Sequence, residues 1–186
     1  IGATRHRSIA GSTMRRVANA ARCAVVIVNR PCPPCWRLFS NIVVGTDFSK
    51  ASESAFLWAY KLAHEVGANL HIFHAIDITA EGLTLPAGQT AIEQRIKEAR
   101  RRIEQHMVPK LKGYEKYTLE AWEGIPYVEI LKFARDRQAD LIVMAHHARE
   151  VDPEEAELGS TVEQVVLRSS CPVASVNHPD KVADLM

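Results

Sequence analysis

The sequence is poor in the features that mark several large classes of protein. Its 186 residues include only four cysteines, which is too few for a disulfide framework and agrees with a reducing compartment. No apolar run approaches the ~18 residues that a membrane span needs. Lysine and arginine total 23 against 22 aspartates and glutamates, a net charge of +1, so composition gives no argument for nucleic acid or membrane as a partner. We expect a soluble, cytoplasmic protein whose numbering starts inside a longer reading frame.

Signatures of catalysis and of metal binding are also missing. The sequence has no phosphate-binding loop ending in a Walker lysine, no Gly-x-Ser-x-Gly elbow and no carboxylate pair spaced for a metal. His146 and His147 are adjacent, so their side chains point in different directions, and the spacing indicates no third ligand. We therefore predict neither an enzyme nor a metal site.

One stretch, residues 140–161, organises the rest of the chain. It begins with a strand-like apolar run that follows Asp140, continues through small residues and an acidic loop, and ends at Gly159. Ser160 followed by Glu163 forms a capping box that starts a helix. A strand that feeds a helix N-terminus in this way directs backbone N–H groups at one point, where an anion can bind.

The sequence contains an internal repeat at an offset of 148 residues. Residues 11–29 match residues 159–177 without a gap, and the shared positions include Gly-Ser-Thr, a cysteine and an asparagine. Each copy is a helix followed by a short strand. We predict that residues 1–29 are the last helix and strand of a preceding domain. The strand from Val25 to Val28 should then lie antiparallel to residues 173–176.

A proline-rich linker follows the first copy of the repeat. Residues 30–40 contain three prolines, which exclude a helix interior or a paired strand. The linker cysteines Cys32 and Cys35 have zinc or redox spacing, but Pro34 opposes the turn that redox pairs use, so their role stays open. Cys23 and Cys171 are repeat equivalents, which we interpret as small buried residues.

From residue 41 onward, strands alternate with amphipathic helices. This alternation predicts a parallel sheet that is covered on both faces by right-handed crossovers. Gly67 should end the first helix, Pro109 should end or kink the second, and Pro126 should lie near the start of the third. We predict an α/β domain of five strands and four helices over residues 41–178, followed by a tail at 179–186.

Three segments together resemble the universal stress protein family. They are residues 41–49 (NIVVGTDFS), residues 139–144 (ADLIVM), and Gly-Ser-Thr at 159–161 followed by Cys-Pro-Val at 171–173. Their order and spacing carry the resemblance, which covers residues 41–177 and, as the end of a first copy, residues 1–29. It implies the tandem form of the family, a sheet of strand order 3-2-1-4-5, and an adenine nucleotide at the carboxyl ends of strands 1 and 4.

The resemblance also implies a set of binding residues. Asp47 matches an aspartate that lies against the nucleoside, and Ala75 matches a backbone position at the adenine edge. As a residue of the turn after strand 1, Asp47 has an equally good structural interpretation as a turn or N-cap residue. The implied nucleotide-binding positions are Thr46, Asp47, Ala75, Ala145, Ala148, Gly159, Ser160 and Thr161.

This sequence departs from the family pattern in the loop after strand 4. Nucleotide-binding members have two glycines where Ala145 and Ala148 stand here. A Cβ obstructs close approach of a phosphate, and it costs ~1–2 kcal/mol where a left-handed backbone is required. Four acidic residues in the same loop, at 152, 154, 155 and 157, disfavour a triphosphate unless a divalent cation such as Mg²⁺ intervenes.

Two functions therefore remain open. The first is a module of the stress response that binds ATP or another adenine nucleotide and acts through dimerisation. The second is an interaction module of the same fold whose nucleotide site is degenerate. In both, the resemblance implies self-association through the last strand, residues 173–176, and through Val25 to Val28. Slow ATP hydrolysis stays open by the same resemblance.

Overall fold

We describe a computed structural model of the chain, which covers residues 12–21, 23–28, 39–78, 88–145 and 160–176. Its strands are β1 (Val25–Ile27), β2 (Asn41–Gly45), β3 (Asn69–Asp77), β4 (Tyr117–Gly124), β5 (Leu141–Ala145) and β6 (Val173–Val176). Its helices are α1 (Ser12–Ala20), α2 (Lys50–Val66), α3 (Gln89–Met107), α4 (Pro126–Asp136) and α5 (Ser160–Arg168), with a short 3₁₀ helix at Val108–Leu111. In this described part of the chain, no helix is long and apolar enough to cross a membrane.

The six strands form one sheet in the order β1-β6-β5-β2-β3-β4. Strands β2 to β6 are all parallel, and their order is the predicted 3-2-1-4-5. The sheet has one strand more than the predicted five, because β1 pairs with β6. This pairing is antiparallel, with Val25 opposite Ser175 and Ile27 opposite Val173. The predicted antiparallel contact between these strands is therefore confirmed, and it lies within a single chain.

Helices cover both faces of the sheet, as a parallel sheet requires. Alternate residues of β2 enter different cores: Ile42 and Val44 pack with α2 and α3, whereas Val43 packs with α4 and α5. The second core is centred on Phe73 and Phe133, whose rings stack with centroids 4.5 Å apart. Both rings are fully buried. The central strands are thus continuous apolar runs because neither of their faces meets water.

The predicted helix boundaries are confirmed where they can be compared. The N-cap of α2 is Ser49, which was not predicted, and its hydroxyl accepts a hydrogen bond from the Ser52 amide. Gly67 ends α2 with a left-handed φ of 71°. Helix α3 ends at Met107, and the 3₁₀ segment that follows contains Pro109. Pro126 opens α4. Each boundary follows from a local rule, which is why the sequence suffices to place it.

The N-terminal segment packs on the α4–α5 side of the sheet. Ala18 of α1 and Ile27 of β1 are buried in the core that contains Phe73. The repeat-equivalent cysteines differ from the prediction, because Cys23 is exposed and Cys171 is half-buried. Cys23 lies beside the sheet edge and no described element covers it, whereas Cys171 packs against the core. Cys32 and Cys35 lie outside the described residues.

Candidate functional site

The crossovers leave β2 in opposite directions, which makes the carboxyl ends of β2 and β5 the switch point of the sheet. Strand β2 pairs with β3 on one side and with β5 on the other. Chains that diverge in this way leave a crevice at the carboxyl edge, where open α/β sheets bind their ligands. Thr46 and Asp47 follow β2, Ala145 ends β5, and Ala75 lies near the end of β3. Four of the eight predicted site residues are thereby brought to three adjacent strand ends.

Thr46 fixes the turn after β2. The residue is buried, and its amide donates to the Phe73 carbonyl oxygen at 2.9 Å. Its hydroxyl oxygen accepts from the Phe48 amide at 3.1 Å and lies 3.2 Å from the hydroxyl of Ser52 in α2. The Thr46 side chain is therefore engaged inside the turn, on the α2 side.

Asp47 is exposed at the next position of the same turn. Its Oδ1 accepts a hydrogen bond from the Ser49 amide at 3.0 Å, which closes an Asx-type turn just before α2. The interpretation of Asp47 as a turn residue is thus confirmed. This role does not exclude others, because an ionised carboxylate has about four acceptor sites and can accept more than one hydrogen bond.

The backbone of β3 continues past the end of β2. Pairing between these strands ends with Gly45 opposite Phe73. From Ala75 to Asp77, β3 pairs only with β4 in the described chain, and Ala75 lies opposite Trp122. At Ala75 and Ile76, the edge of β3 that faces the crevice therefore has no strand neighbour among the described residues. An unpaired strand edge presents alternating N–H and C=O groups, which match the donor and acceptor edge of a heterocyclic base.

Ala145 occupies regular strand backbone. It is 9% exposed and packs in the core on the α2 side, near Val143 and Val176. Positive φ occurs at Phe39, Phe48, Lys112 and Gln138 among the described non-glycine residues, and Ala145 is not one of them. Its side chain packs in the core and its φ is not left-handed, so the strand backbone itself does not require glycine here.

The remaining predicted site residues lie at or before the start of α5. Thr161 is half-buried in the first turn of that helix. Ser160 begins it, but the Ser160 side chain lies outside what the structure describes, as do Ala148 and Gly159. The predicted capping pair of Ser160 and Glu163 accordingly stays a prediction. His146 and His147 also fall outside the described residues. Among the residues that the structure describes, no group of three or more histidine, cysteine or acidic side chains is arranged to hold a metal ion.

The structure adds three residues that sequence reasoning missed. Phe48 has a left-handed φ of 64°. Its ring centroid lies 4.5 Å from that of His74 on one side and 4.2 Å from the guanidinium carbon of Arg102. Burial lowers the pKa of His74, and the nearby Arg102 lowers it further, while a hydrogen bond to the Thr46 carbonyl and the charge of Asp47 oppose the shift. The only sign of these contacts in the sequence was His74, a polar residue in the apolar run of β3.

Comparison with known proteins agrees with this architecture. The profile of the universal stress protein family matches residues 38–177. Universal stress protein MJ0531 of Methanocaldococcus jannaschii is 32% identical over 151 residues, which cover 77% of this chain and 85% of that protein.

Two solved structures share the fold. A universal stress protein from Archaeoglobus fulgidus superposes with a TM-score of 0.63 at 25% identity, and the match covers 89% of this chain but only 54% of that one. A universal stress protein in complex with cAMP superposes with a TM-score of 0.59 at 23% identity, covering 74% of this chain and 97% of that one. Because the family profile spans most of the chain and a relative exceeds 30% identity, this chain belongs to the universal stress protein family.

Proposed function

We propose that this chain binds an adenine nucleotide in the crevice at the carboxyl ends of β2 and β5. The observation that carries the proposal is the edge of β3 at Ala75 and Ile76, which has no strand neighbour among the described residues and adjoins Asp47 at the switch point. The solved family structure in complex with cAMP supports the ligand class. In this arrangement, the backbone of β3 reads the edge of the base.

Asp47 is suited to hold the ribose. Its Oδ1 accepts from the Ser49 amide and thereby fixes the carboxylate at the mouth of the crevice. Further acceptor sites of the carboxylate can take hydrogen bonds from ribose hydroxyls. Because the Asx turn orients the group before a ligand arrives, little side-chain entropy is lost on binding.

The start of α5 is suited to hold the phosphate. We expect Gly159, Ser160 and Thr161, which stand in the sequence at the start of this nine-residue helix, to supply backbone N–H groups and hydroxyls to it. The acidic residues at 152, 154, 155 and 157 repel added phosphate charge. We therefore expect a nucleoside monophosphate or cyclic monophosphate to bind more tightly than ATP without Mg²⁺.

Isothermal titration with cAMP, AMP, ADP and ATP, each with and without Mg²⁺, tests the proposal. The Asp47→Ala variant should lose at least about tenfold in affinity, as expected for removal of charge-assisted hydrogen bonds. Asp136→Ala is the matched control, because Asp136 is an exposed carboxylate at the end of α4, away from the crevice. Absence of binding at millimolar nucleotide would overturn the proposal.

A second candidate function is self-association, with or without nucleotide. The observation that favours it is a set of exposed valines on α1 and β1. Val17 is 51% exposed, Val26 45% and Val28 59%. Strand β1 occupies the edge of β6, so a partner strand would meet β1 rather than β6.

Sedimentation of the purified chain tests the second candidate. The double variant Val26→Lys and Val28→Lys should dissociate a dimer that wild type forms, whether or not nucleotide is present. Val66→Lys is the control, because Val66 is 49% exposed at the end of α2. A monomeric wild-type protein, or equal dissociation by the control, would exclude association through this edge.

A further inference from the structure

A small cavity lies between the start of α2 and the end of α3. It has a volume of about 70 Å³. Its wall consists of Phe48, Ser49 and Glu53 from the start of α2, and of Arg102, His106, Met107 and Lys110 from α3 and the 3₁₀ segment. The cavity is far smaller than the ~300 Å³ at which sites for drug-sized ligands begin. It accommodates one small polar group.

The wall of this cavity contains more basic than acidic side chains. Arg102, His106 and Lys110 follow one another at intervals of four residues and line the same wall. Lys110 donates to Glu53 at 2.6 Å, so this pair is neutral. Among the described residues, no acidic side chain forms an ion pair with Arg102 or His106. The wall therefore presents the guanidinium of Arg102, which forms no ion pair with a described carboxylate, beside the imidazole of His106.

The guanidinium of Arg102 stacks on the ring of Phe48, which determines which of its atoms can contact a ligand. Arg102 is an exposed residue, and its guanidinium carbon lies 4.2 Å from the centroid of the Phe48 ring, so the ring contacts one face of the guanidinium. The in-plane N–H donors remain for an acceptor, and their fork matches two oxygens of an oxyanion.

We propose that this cavity is a binding site for a single tetrahedral oxyanion, phosphate or sulfate, either free or carried by a small molecule. Arg102 binds it as a fork and His106 adds a donor from the next turn of α3. The Glu53 carboxylate, paired with Lys110, limits the affinity. This site lies on the α2–α3 side of the sheet, whereas the proposed nucleotide phosphate lies at α5 on the other side. The two proposals therefore stand or fall independently.

A titration followed by two-dimensional ¹H–¹⁵N NMR tests the site. Sodium phosphate is added at pH 7 against sodium chloride of matched ionic strength, and sodium sulfate is added in a separate series. We expect saturable shifts at Phe48, Ser49 and Arg102 in the phosphate and sulfate series and not in chloride. The Arg102→Gln variant should bind at least about tenfold more weakly, since the forked, charge-assisted contact is lost. Glu53→Gln should bind more tightly, because it removes the carboxylate from the wall.

Arg101→Gln is the matched control. Arg101 is an exposed arginine of the same helix that does not line the cavity, so its loss changes net charge equally. Arg102→Lys retains the charge without the fork, and we expect it to bind with an affinity between those of wild type and Arg102→Gln. This second variant tests the site even if Arg102→Gln disturbs packing. Shifts equal to those in chloride would overturn the proposal. Equal weakening by Arg101→Gln and Arg102→Gln would do the same, because it would indicate general screening.

Discussion

The imidazole of His74 donates from Nδ1 to the carbonyl oxygen of Thr46 at a distance of 2.7 Å. A carbonyl oxygen only accepts, so the proton is on Nδ1. This bond joins β3 to the turn after β2, and it leaves the His74 ring packed against Phe48. The turn that presents Asp47 is therefore held from both sides, by α2 through Thr46 and by β3 through His74.

The left-handed backbone of Phe48 leads to the first prediction. At a φ of 64°, any residue with a Cβ is strained by about 1 kcal/mol relative to glycine. Phe48→Ala and Phe48→Gly both lose the contacts with His74 and Arg102, but only the alanine variant retains the strain. The glycine variant should be more stable than the alanine variant by about 1 kcal/mol in urea unfolding at pH 7.

Lys61, in the interior of α2, supplies the control for Phe48. Its backbone is helical, so the order of stability should reverse there, with Lys61→Gly less stable than Lys61→Ala by about 1 kcal/mol. The same order at both positions would mean that Phe48 is not strained in solution.

His71 leads to the second prediction, which concerns pH. Burial lowers its pKa from 6.5 to about 4, with a smaller contribution from Arg137. Its Nδ1 lies 2.8 Å from the Thr118 hydroxyl, and the whole residue is 7% exposed. Between pH 6.5 and 4 the unfolded chain binds this proton and the folded chain does not, so the contribution to stability is complete above pH 6.5 and is lost as the pH falls towards 4. The loss amounts to at most about 3 kcal/mol.

Urea unfolding at about pH 7, 5.5 and 4.5, one value above the titration range and two within it, measures the effect. The stability difference between wild type and His71→Gln should shrink as the pH falls, because the variant lacks the titrating group. His64→Gln removes an exposed histidine and should leave the slope of wild type unchanged. Parallel curves for wild type and His71→Gln would contradict the assigned pKa shift.

The sequence was sufficient for the parts of the fold that depend on local rules or on repetition. Alternating apolar runs identified the parallel sheet. The repeat of residues 11–29 identified the partner of β1, because equivalent strands of two copies are expected to pair with each other. The helix end at Gly67 is recognised from that one residue. These features are predictable because neighbours in sequence, or a second copy of the same segment, determine them.

The candidate site was predictable only in part, because its details depend on contacts between distant residues. The left-handed backbone of Phe48 becomes tolerable only when His74 and Arg102 pack on its ring, and these residues are 26 and 54 positions away. Exposure of Cys23 depends on which element covers the sheet edge. The packing of the Ala145 methyl group in the α2-side core depends on which face of β5 it occupies. No local pattern contains this information.

Asp140 leads to the third prediction. Its Oδ2 accepts from the Ser40 amide at 2.6 Å, and both its oxygens lie within 3.3 Å of the Asn41 amide. The carboxylate thereby joins the start of β2 to the start of β5. Asp140→Ala leaves two backbone donors without their partner and should lower the free energy of unfolding by about 2 kcal/mol. Thermal and urea unfolding measure the loss. Asp136→Ala, an exposed carboxylate four residues earlier, should change stability by less than about 0.5 kcal/mol.

Ala145 leads to the fourth prediction, which separates stability from ligand binding. Ala145→Gly removes a buried methyl group and adds backbone freedom in a strand, so it should lower stability by about 1–2 kcal/mol. Because the methyl group points into the α2-side core and φ is not left-handed, the change should leave nucleotide affinity within about threefold of wild type. Unfolding and isothermal titration of one preparation measure both quantities.

Ala174→Gly is the control for Ala145, since Ala174 is a fully buried alanine in the same core, on β6. It should lose similar stability and retain wild-type affinity. A gain of about tenfold or more in nucleotide affinity for Ala145→Gly alone would show that the methyl group obstructs the phosphate. The loop after β5 would then need glycine at this position for binding, and the degenerate site would be the better description of this chain.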